Sequence, residues 1–369
     1  MIEKNLKKPT IVFTGGGTGG SVTPLLAVFE ELIKDEESLE FVFIGTHNGP
    51  EAELIKSFSL APLKFIPISG GKWRRYFSFS NFTDSFKIIS GFFQARKILN
   101  QYQPSLVVSA GSFVSVPVVL AAALKKIPVM IHQQDVRPGL ANKLMAPFAR
   151  VISVTFEKSL LDYGPRAILV GNPIKDLSDY KNKVATVKEK YHLNLNQPLV
   201  LAIGGGTGSS ALNNLILEAA PSLNNFCQLV ILSGRGKSPV ATESLSKTNY
   251  QVFEFLPHEE ILSLMAAADL VVSRCGLGVL TELAALNKAA ILLPIPHSHQ
   301  EDNATLFNKA SAAIILDQNN LSADDLSKAI KNTLADPSLK ENLSRRIGQV
   351  IRPGAAAKLA GIIWEILKK

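Results

Sequence analysis

The 369-residue sequence has only two cysteines, Cys227 and Cys275, and they lie far apart. That excludes a disulfide scaffold and a four-cysteine zinc site, and it points to a reducing compartment. Charged residues are scarce at 19% against 46% hydrophobic, which excludes a disordered or solvating chain. An uninterrupted membrane-length apolar run is also missing. The longest candidate, Leu106 to Ile131, is broken by Gly111, Pro117, Lys125, Lys126 and Pro128, and reads as buried strand, turn, helix and strand. The five-residue apolar stretch before the first glycines is too short for a signal-peptide core, so neither secretion nor an integral membrane segment is expected. No Asp-x-Asp pair occurs, and His297 and His299 have no third ligand nearby, so no metal and no cofactor is expected.

What is present is an excess of cations. Lys plus Arg number 39 against 31 Asp plus Glu, a formal charge of +8, which favours an anionic partner: nucleic acid, a phosphorylated metabolite or an acidic membrane. The length suggests two domains at roughly 150 residues each. Apolar runs at Phe41 to Ile44, Leu106 to Ser109, Val129 to His132, Leu229 to Leu232, Leu270 to Ser273 and Ala290 to Pro294 alternate with helix-like segments. This is the pattern of βα units, and it predicts an α/β fold with two doubly wound, largely parallel Rossmann-like sheets. The expected division is residues 1–172 and 173–352, with a hinge near Pro173 and the lysine-rich 176–197 as the junction. A last helix at about 353–369 follows the break Arg352-Pro353-Gly354. Ser322-Ala-Asp-Asp and Asp336-Pro-Ser have the form of helix starts.

Two glycine loops mark the halves. Thr10 to Thr14 is followed by Gly15-Gly-Gly-Thr-Gly-Gly20 and a helix from Pro24 to Ile33. Leu199 to Ile203 is followed by Gly204-Gly-Gly-Thr-Gly-Ser-Ser210 and a helix from Ala211 to Ala220. Backbone amides in such loops approach phosphate at a helix N-terminus, although glycines also serve plain close packing. The second strand ends Phe43-Ile44-Gly45-Thr46 without the acidic residue that binds a nicotinamide nucleotide's ribose, which argues against a dehydrogenase. Ser233-Gly-Arg-Gly-Lys-Ser238 lacks the first glycine of a nucleoside-triphosphate loop and reads as a strand-end loop. In Leu270 to Glu282 a buried strand delivers Arg274 to a glycine turn, with Glu282 on the next helix. A cation and amides there suit a diphosphate, and a carboxylate suits two ribose hydroxyls; a surface Arg–Glu pair is the other reading. Pro296 to Ala304 adds the mixed donors and acceptors that sugar hydroxyls need.

In combination and order, several segments resemble the MurG-type UDP-N-acetylglucosamine:undecaprenyl-diphospho-muramoylpentapeptide N-acetylglucosaminyltransferases of glycosyltransferase family 28. They are Gly15 to Val28, Gly111 to Pro117, His132-Gln-Gln-Asp135 with Gly139 to Lys143, Gly171-Asn-Pro173, Gly204 to Ser209, Ser273 to Glu282 and His299 to Ala304. The resemblance implies a GT-B fold, two Rossmann-like domains facing a cleft, with the last helix returning to the N-terminal domain. It implies inverting transfer of N-acetylglucosamine from UDP-N-acetylglucosamine to the muramoyl 4-hydroxyl of lipid I, giving lipid II. The donor residues it implies are Glu282 for ribose, the backbone near Leu256 for uracil, and Gln300 and Glu301 for the sugar. Gly206, Thr207 and Arg274 would meet the diphosphate, with Thr18, Gly19 and Lys175 also on the donor. It implies an acceptor diphosphate at Gly17, Thr18, Gly19 and Gly20, with His132 and Asn142 beside the acceptor. Ser21 stands where the family has histidine and Asp135 where it has asparagine. The candidate catalytic groups are therefore Ser21 and Asp135, of which the carboxylate is the better base.

Lys72-Trp73-Arg74-Arg75-Tyr76-Phe77 through Phe79, Phe82, Phe86, Phe92 and Phe93 interleaves cations with rings, as a surface meeting anionic lipid does. The Trp73–Phe93 region is the expected membrane face of a peripheral enzyme on the cytoplasmic side of the cell membrane. No recognised nucleic-acid module accompanies it, and no nucleic-acid partner is expected. Two further readings stay open: transfer to another lipid acceptor, and a non-catalytic UDP-sugar-binding scaffold.

Overall fold

The structure, a computed structural model, describes residues 8–34, 39–56, 62–71, 79–206, 208–237 and 250–368. The chain divides into two compact units, Met1–Lys175 with Arg352–Lys369, and Asp176–Ile351.

The first unit is built on strands β1 (Thr10–Thr14), β2 (Glu40–Thr46), β3 (Leu63–Ile68), β4 (Leu106–Ser109), β5 (Val129–Gln133), β6 (Val151–Val154) and β7 (Ala167–Leu169). They form one seven-stranded sheet in the order β3-β2-β1-β4-β5-β6-β7, and every pairing is parallel. Both faces are covered, so successive residues of one strand enter different cores. Val12 and Val107 pack with helix Ser115–Leu124 on one side. Ile11, Phe13 and Val108 pack on the other with helix Thr23–Lys34. That second core also takes in Leu359, Ala360, Ile363 and Ile366 of the last helix, Ala355–Leu367. The chain re-enters the unit at Arg352, whose carbonyl would lie 2.3 Å from a Cβ on Gly171, so this crossing requires glycine there. The return of the last helix to the N-terminal half is thereby explained by packing.

The second unit repeats the plan with β8 (Leu199–Ile203), β9 (Gln228–Leu232), β10 (Tyr250–Phe253), β11 (Leu270–Ser273), β12 (Ala290–Leu292) and β13 (Ile314–Ile315). The order is β10-β9-β8-β11-β12-β13, again parallel throughout. Ser322 and Asp325 form a reciprocal capping box on helix Ala323–Ala335, and Asp336 caps helix Pro337–Val350 by accepting from the Leu339 amide at 2.9 Å. The stretch 176–197, expected to be only a junction, forms the short helices Ser178–Lys181 and Val184–Lys190 within this unit. Their mixture of lysines and few apolar residues obscured them.

In each sheet the order reverses beside the first strand, between β1 and β4 and between β8 and β11. Such reversals open a crevice at the carboxyl ends of the strands, where ligands of doubly wound sheets bind. Both glycine loops leave from these points.

Candidate active site

At the first reversal, Thr14 and Ser109 are register partners at the carboxyl ends of β1 and β4. Hydroxyls fix the loop that follows. The Gly111 amide donates to Ser109 Oγ at 3.1 Å, and the Ser115 hydroxyl donates to the Gly111 carbonyl at 2.7 Å. The Thr14 hydroxyl reaches Ser115 Oγ at 3.3 Å. Ser21, a candidate catalytic group, is buried, and its hydroxyl is engaged inside the glycine loop. It accepts from the Gly16 amide at 2.9 Å and lies 3.1 and 3.3 Å from the carbonyls of Gly16 and Thr18. Ser21 stays a candidate catalytic group by its position, and its hydroxyl closes the loop, with carbonyl acceptors for its proton there. Gly17, Thr18, Gly19 and Gly20 form the outer part of the loop, with Gly19–Ser21 as one turn of tight helix.

Beneath that loop lies a residue the sequence reading passed over. Glu51 is fully buried, and its carboxylate accepts from the Thr46 amide and hydroxyl, both at 2.6 Å. It also accepts from the Gly17 amide at 3.3 and 3.4 Å. A Cβ on Gly16 would stand 2.2 Å from Glu51 Oε1, and one on Gly49 would stand 1.9 Å from Oε2. These glycines make room for a buried carboxylate that accepts from the Gly17 amide.

His132 was expected beside the acceptor. It is instead 1% exposed, with Nδ1 at 3.0 Å from Ser153 Oγ and Nε2 at 3.0 Å from Asn172 Oδ1. Both ring nitrogens are taken by the interior, and burial lowers its pKa to about 4. His132 therefore locks β5, β6 and the Gly171-Asn172 segment together and does not present itself to a ligand. Asn142 is buried as well. Its amide nitrogen donates to Gln133 Oε1 at 2.6 Å, while Oδ1 has no partner and faces Gly111, 3.2 Å from where a Cβ would lie. Asp135 follows β5 directly and is half-buried, beside the carbonyl that Gln133 Nε2 holds at 2.7 Å. Lys175, half-buried, ends the first unit.

At the second reversal the charge beneath the loop is opposite. Arg274, 3% exposed, sends Nε and Nη2 to Ser209 Oγ at 3.2 and 2.8 Å and Nη1 to the Leu293 carbonyl at 3.0 Å. Arg274, expected to meet a diphosphate, also acts as a brace: the guanidinium fixes the end of the glycine loop through Ser209 and lends its field from below. Its burial also lowers its pKa. Gly206 is exposed in a turn, and Thr207 lies outside the described residues. This loop demands glycine at Gly204, where a notional Cβ would lie 2.3 Å from the Ser209 nitrogen, and at Gly208, at φ +70° with the Ser233 carbonyl 2.1 Å from a notional Cβ. Lys237 donates to the Gly208 carbonyl at 3.0 Å.

Glu282 stands on helix Leu277–Leu286, which begins immediately after Gly276, and bonds His258 Nε2 through Oε1 at 2.8 Å. Gln300 joins two strand ends: its Oε1 accepts from the amides of Cys275 at 3.1 Å and Ile295 at 3.2 Å. Its neighbour Glu301 is exposed, and Leu256 is half-buried just beyond β10. The exposed Phe255 ring carries the Arg235 guanidinium 4.2 Å above it, a flat cationic platform next to Leu256. Burial pushes the Cys275 thiol up to about 12, leaving it inert beside these groups. Among the described residues, no cluster of three or more His, Cys, Asp or Glu is arranged to hold a metal ion.

Residues 11–154 match the glycosyltransferase family 28 N-terminal domain, and residues 199–356 match the glycosyltransferase family 28 C-terminal domain. The chain belongs to glycosyltransferase family 28. A Clostridium botulinum family member, named UDP-N-acetylglucosamine--N-acetylmuramyl-(pentapeptide) pyrophosphoryl-undecaprenol N-acetylglucosamine transferase, is 38% identical over 325 residues, covering 87% of this chain and 89% of its own. One of the same name from Borreliella burgdorferi is 36% identical over 348 residues, covering 92% and 93%. The crystal structure of Acinetobacter baumannii MurG superposes with a TM-score of 0.71 at 24% identity, covering 97% of this chain and 99% of that one. The doubly wound two-domain architecture is thus the family's own. Within this family 28 chain, the first reversal gathers the loop 15–21, Gly111, Asn142 and Asp135. The second gathers the loop 204–209, Arg274, Glu282 and Gln300.

Trp364, on the last helix, packs against a core of the first unit, so its fluorescence during urea unfolding reads that unit. Glu51→Ala strands buried donors and is expected to lower the unit's stability by about 3 kcal/mol; an unchanged midpoint contradicts the assignment. His132 is neutral when folded down to about pH 4, while the unfolded chain takes up the proton near 6.5. Its contribution is therefore intact above pH 6.5 and falls away as the pH drops, by about 3 kcal/mol at pH 4. A His132→Asn variant is expected to lose that part of the pH dependence; a parallel pH profile would contradict it.

Proposed function

We propose that this family 28 enzyme transfers N-acetylglucosamine from UDP-N-acetylglucosamine to the 4-hydroxyl of the muramoyl sugar of lipid I, an undecaprenyl-diphosphate-linked acceptor, forming the β-1,4 bond of lipid II. The observation that carries this reading is the match to transferases of that name along 87% and 92% of the chain, which takes in both sheet reversals. The donor belongs to the second unit. Glu282 accepts from the ribose hydroxyls, the backbone at Leu256 reads uracil, and Gln300 and Glu301 meet the sugar. Gly206, Thr207 and the helix start after Gly276 face the diphosphate, with Arg274 supporting from beneath.

The acceptor diphosphate belongs to the first unit, at Gly17 through Gly20. The Asn142 Oδ1, buried without a partner, is an acceptor for a hydroxyl of the incoming molecule. In the reaction the muramoyl O4 attacks the anomeric carbon while its bond to the UDP oxygen breaks, and configuration inverts. UDP leaves as an anion, stabilised by amides and a cation already in place. The O4 proton passes to Asp135, since the Ser21 hydroxyl is committed to its loop.

The membrane face belongs to the same proposal. Among the described residues no helix is long and apolar enough to cross a membrane. On helix Phe79–Tyr102, Ile89 and Phe93 are 55% and 62% exposed, and Leu124 on the neighbouring helix is 71% exposed. Trp73 and Phe77, with the side chains of Phe79, Phe82 and Phe86, lie outside the described residues; Phe92 packs against the core. Exposed apolar side chains such as Phe93, Ile89 and Leu124 in a lysine-bearing segment suit an anionic cytoplasmic leaflet, where the lipid acceptor resides.

Labelled UDP-N-acetylglucosamine and lipid I in vesicles are expected to give labelled lipid II, with Asp135→Asn lowering kcat about 10²- to 10⁴-fold at unchanged donor KM. Donor binding without transfer to lipid I would overturn the activity, and full turnover by Asp135→Asn would overturn the base.

A further inference from the structure

The contact between His258 and Glu282 is unused by the account so far. His258 opens helix His258–Ala267, two residues beyond Leu256, and Glu282 sits on the helix after β11. The two side chains come from different βα connections and meet at 2.8 Å, with Glu282 only 15% exposed and His258 35%. The carboxylate selects the ring form that carries its proton on Nε2, so the imidazole donates and Oε1 accepts. Among the described residues, Glu282 Oε2 has no hydrogen-bond partner, and Oε1 keeps a second lone pair. A glutamate on its own rotates through several rotamers, whereas this one is held with one oxygen anchored, leaving its other acceptor sites for a ligand.

We propose that His258 is a positioning residue that holds Glu282 in the orientation needed to accept both hydroxyls of a ribose, and that it thereby sets the enzyme's preference for ribonucleotide over 2′-deoxyribonucleotide sugars. The proposal rests on Glu282 as the ribose ligand. Buried acceptors aimed at a hydroxyl penalise the analogue that lacks it, because they are then left unpaired, and the penalty depends on the acceptor staying where it is. A mobile carboxylate turns away to solvent and loses discrimination; a pinned one keeps it. The uracil contact at Leu256 and the anchor at His258 lie on one short segment, so base and ribose are read from the same stretch of chain.

Calorimetric titration of the full-length enzyme with UDP-N-acetylglucosamine and with its 2′-deoxyuridine analogue tests this. His258→Ala is expected to weaken the ribonucleotide about tenfold while barely changing the deoxy analogue. His258→Gln, which returns an N–H near the position of Nε2, is expected to restore most of the difference. Glu282→Ala serves as the control. If it leaves discrimination intact, the ribose assignment fails and this proposal fails with it. If Glu282→Ala abolishes discrimination while His258→Ala preserves it, only the positioning role is overturned. Equal weakening of both nucleotides by His258→Ala, unrescued by glutamine, marks a folding role and also overturns it.

Discussion

Where the strand order of a parallel sheet reverses, the loops leaving the two neighbouring strands diverge to opposite faces and open a crevice, and this molecule's chemistry follows from how the backbone amides of those loops are satisfied. Both units have the reversal at the same place, beside their first strand. In both, glycines let the chain turn tightly enough to leave amides facing outward at the start of a helix. The scaffold is rigid because each sheet is buried on two faces, and in the first unit the last helix completes one of them.

The two loops differ in what lies under them. Glu51 places a carboxylate beneath the first and takes the Gly17 amide, so the amides beyond it remain for a ligand. Arg274 places a guanidinium beneath the second and braces its end through Ser209. An anion that gains charge as it leaves is best held over a buried cation, because the low dielectric strengthens the field and no rearrangement is required during reaction. The second unit therefore suits a departing nucleotide diphosphate, and the first suits a diphosphate that is bound but does not react.

The βα alternation, both glycine loops and the helix starts at Ser322 and Asp336 were legible because each has a local signal in residue type and spacing. Strands β3, β6, β7, β10 and β13 were not. In β3, β7 and β10, toward sheet edges, half-exposed residues break the apolar run that marked the central strands, while β6 and β13 have only four and two residues. Site residues were legible as types but not as roles. Arg274 and His132 were assigned to a ligand and Ser21 to catalysis, and the hydrogen bonds each makes inside the protein depend on burial that spacing does not encode. Glu51 carried a usable signal: Gly45-Thr46 and Gly49 flank it after a strand, and asking where the Gly17 amide finds an acceptor leads to it. His258 carried none, because its partner Glu282 is 24 residues away on another connection.

The central claim is that the uridine nucleotide lies on the second unit, at the carboxyl ends of β8 and β11. Photo-crosslinking of the full-length protein with 5-azido-UDP-N-acetylglucosamine, followed by peptide mapping, addresses this directly. Label in the peptides containing Phe255 to His258 and Arg274 to Glu282, competed by unlabelled UDP-N-acetylglucosamine, is the result expected. Competed label confined to the Gly15 to Ser21 loop would place the nucleotide on the first unit and contradict the account.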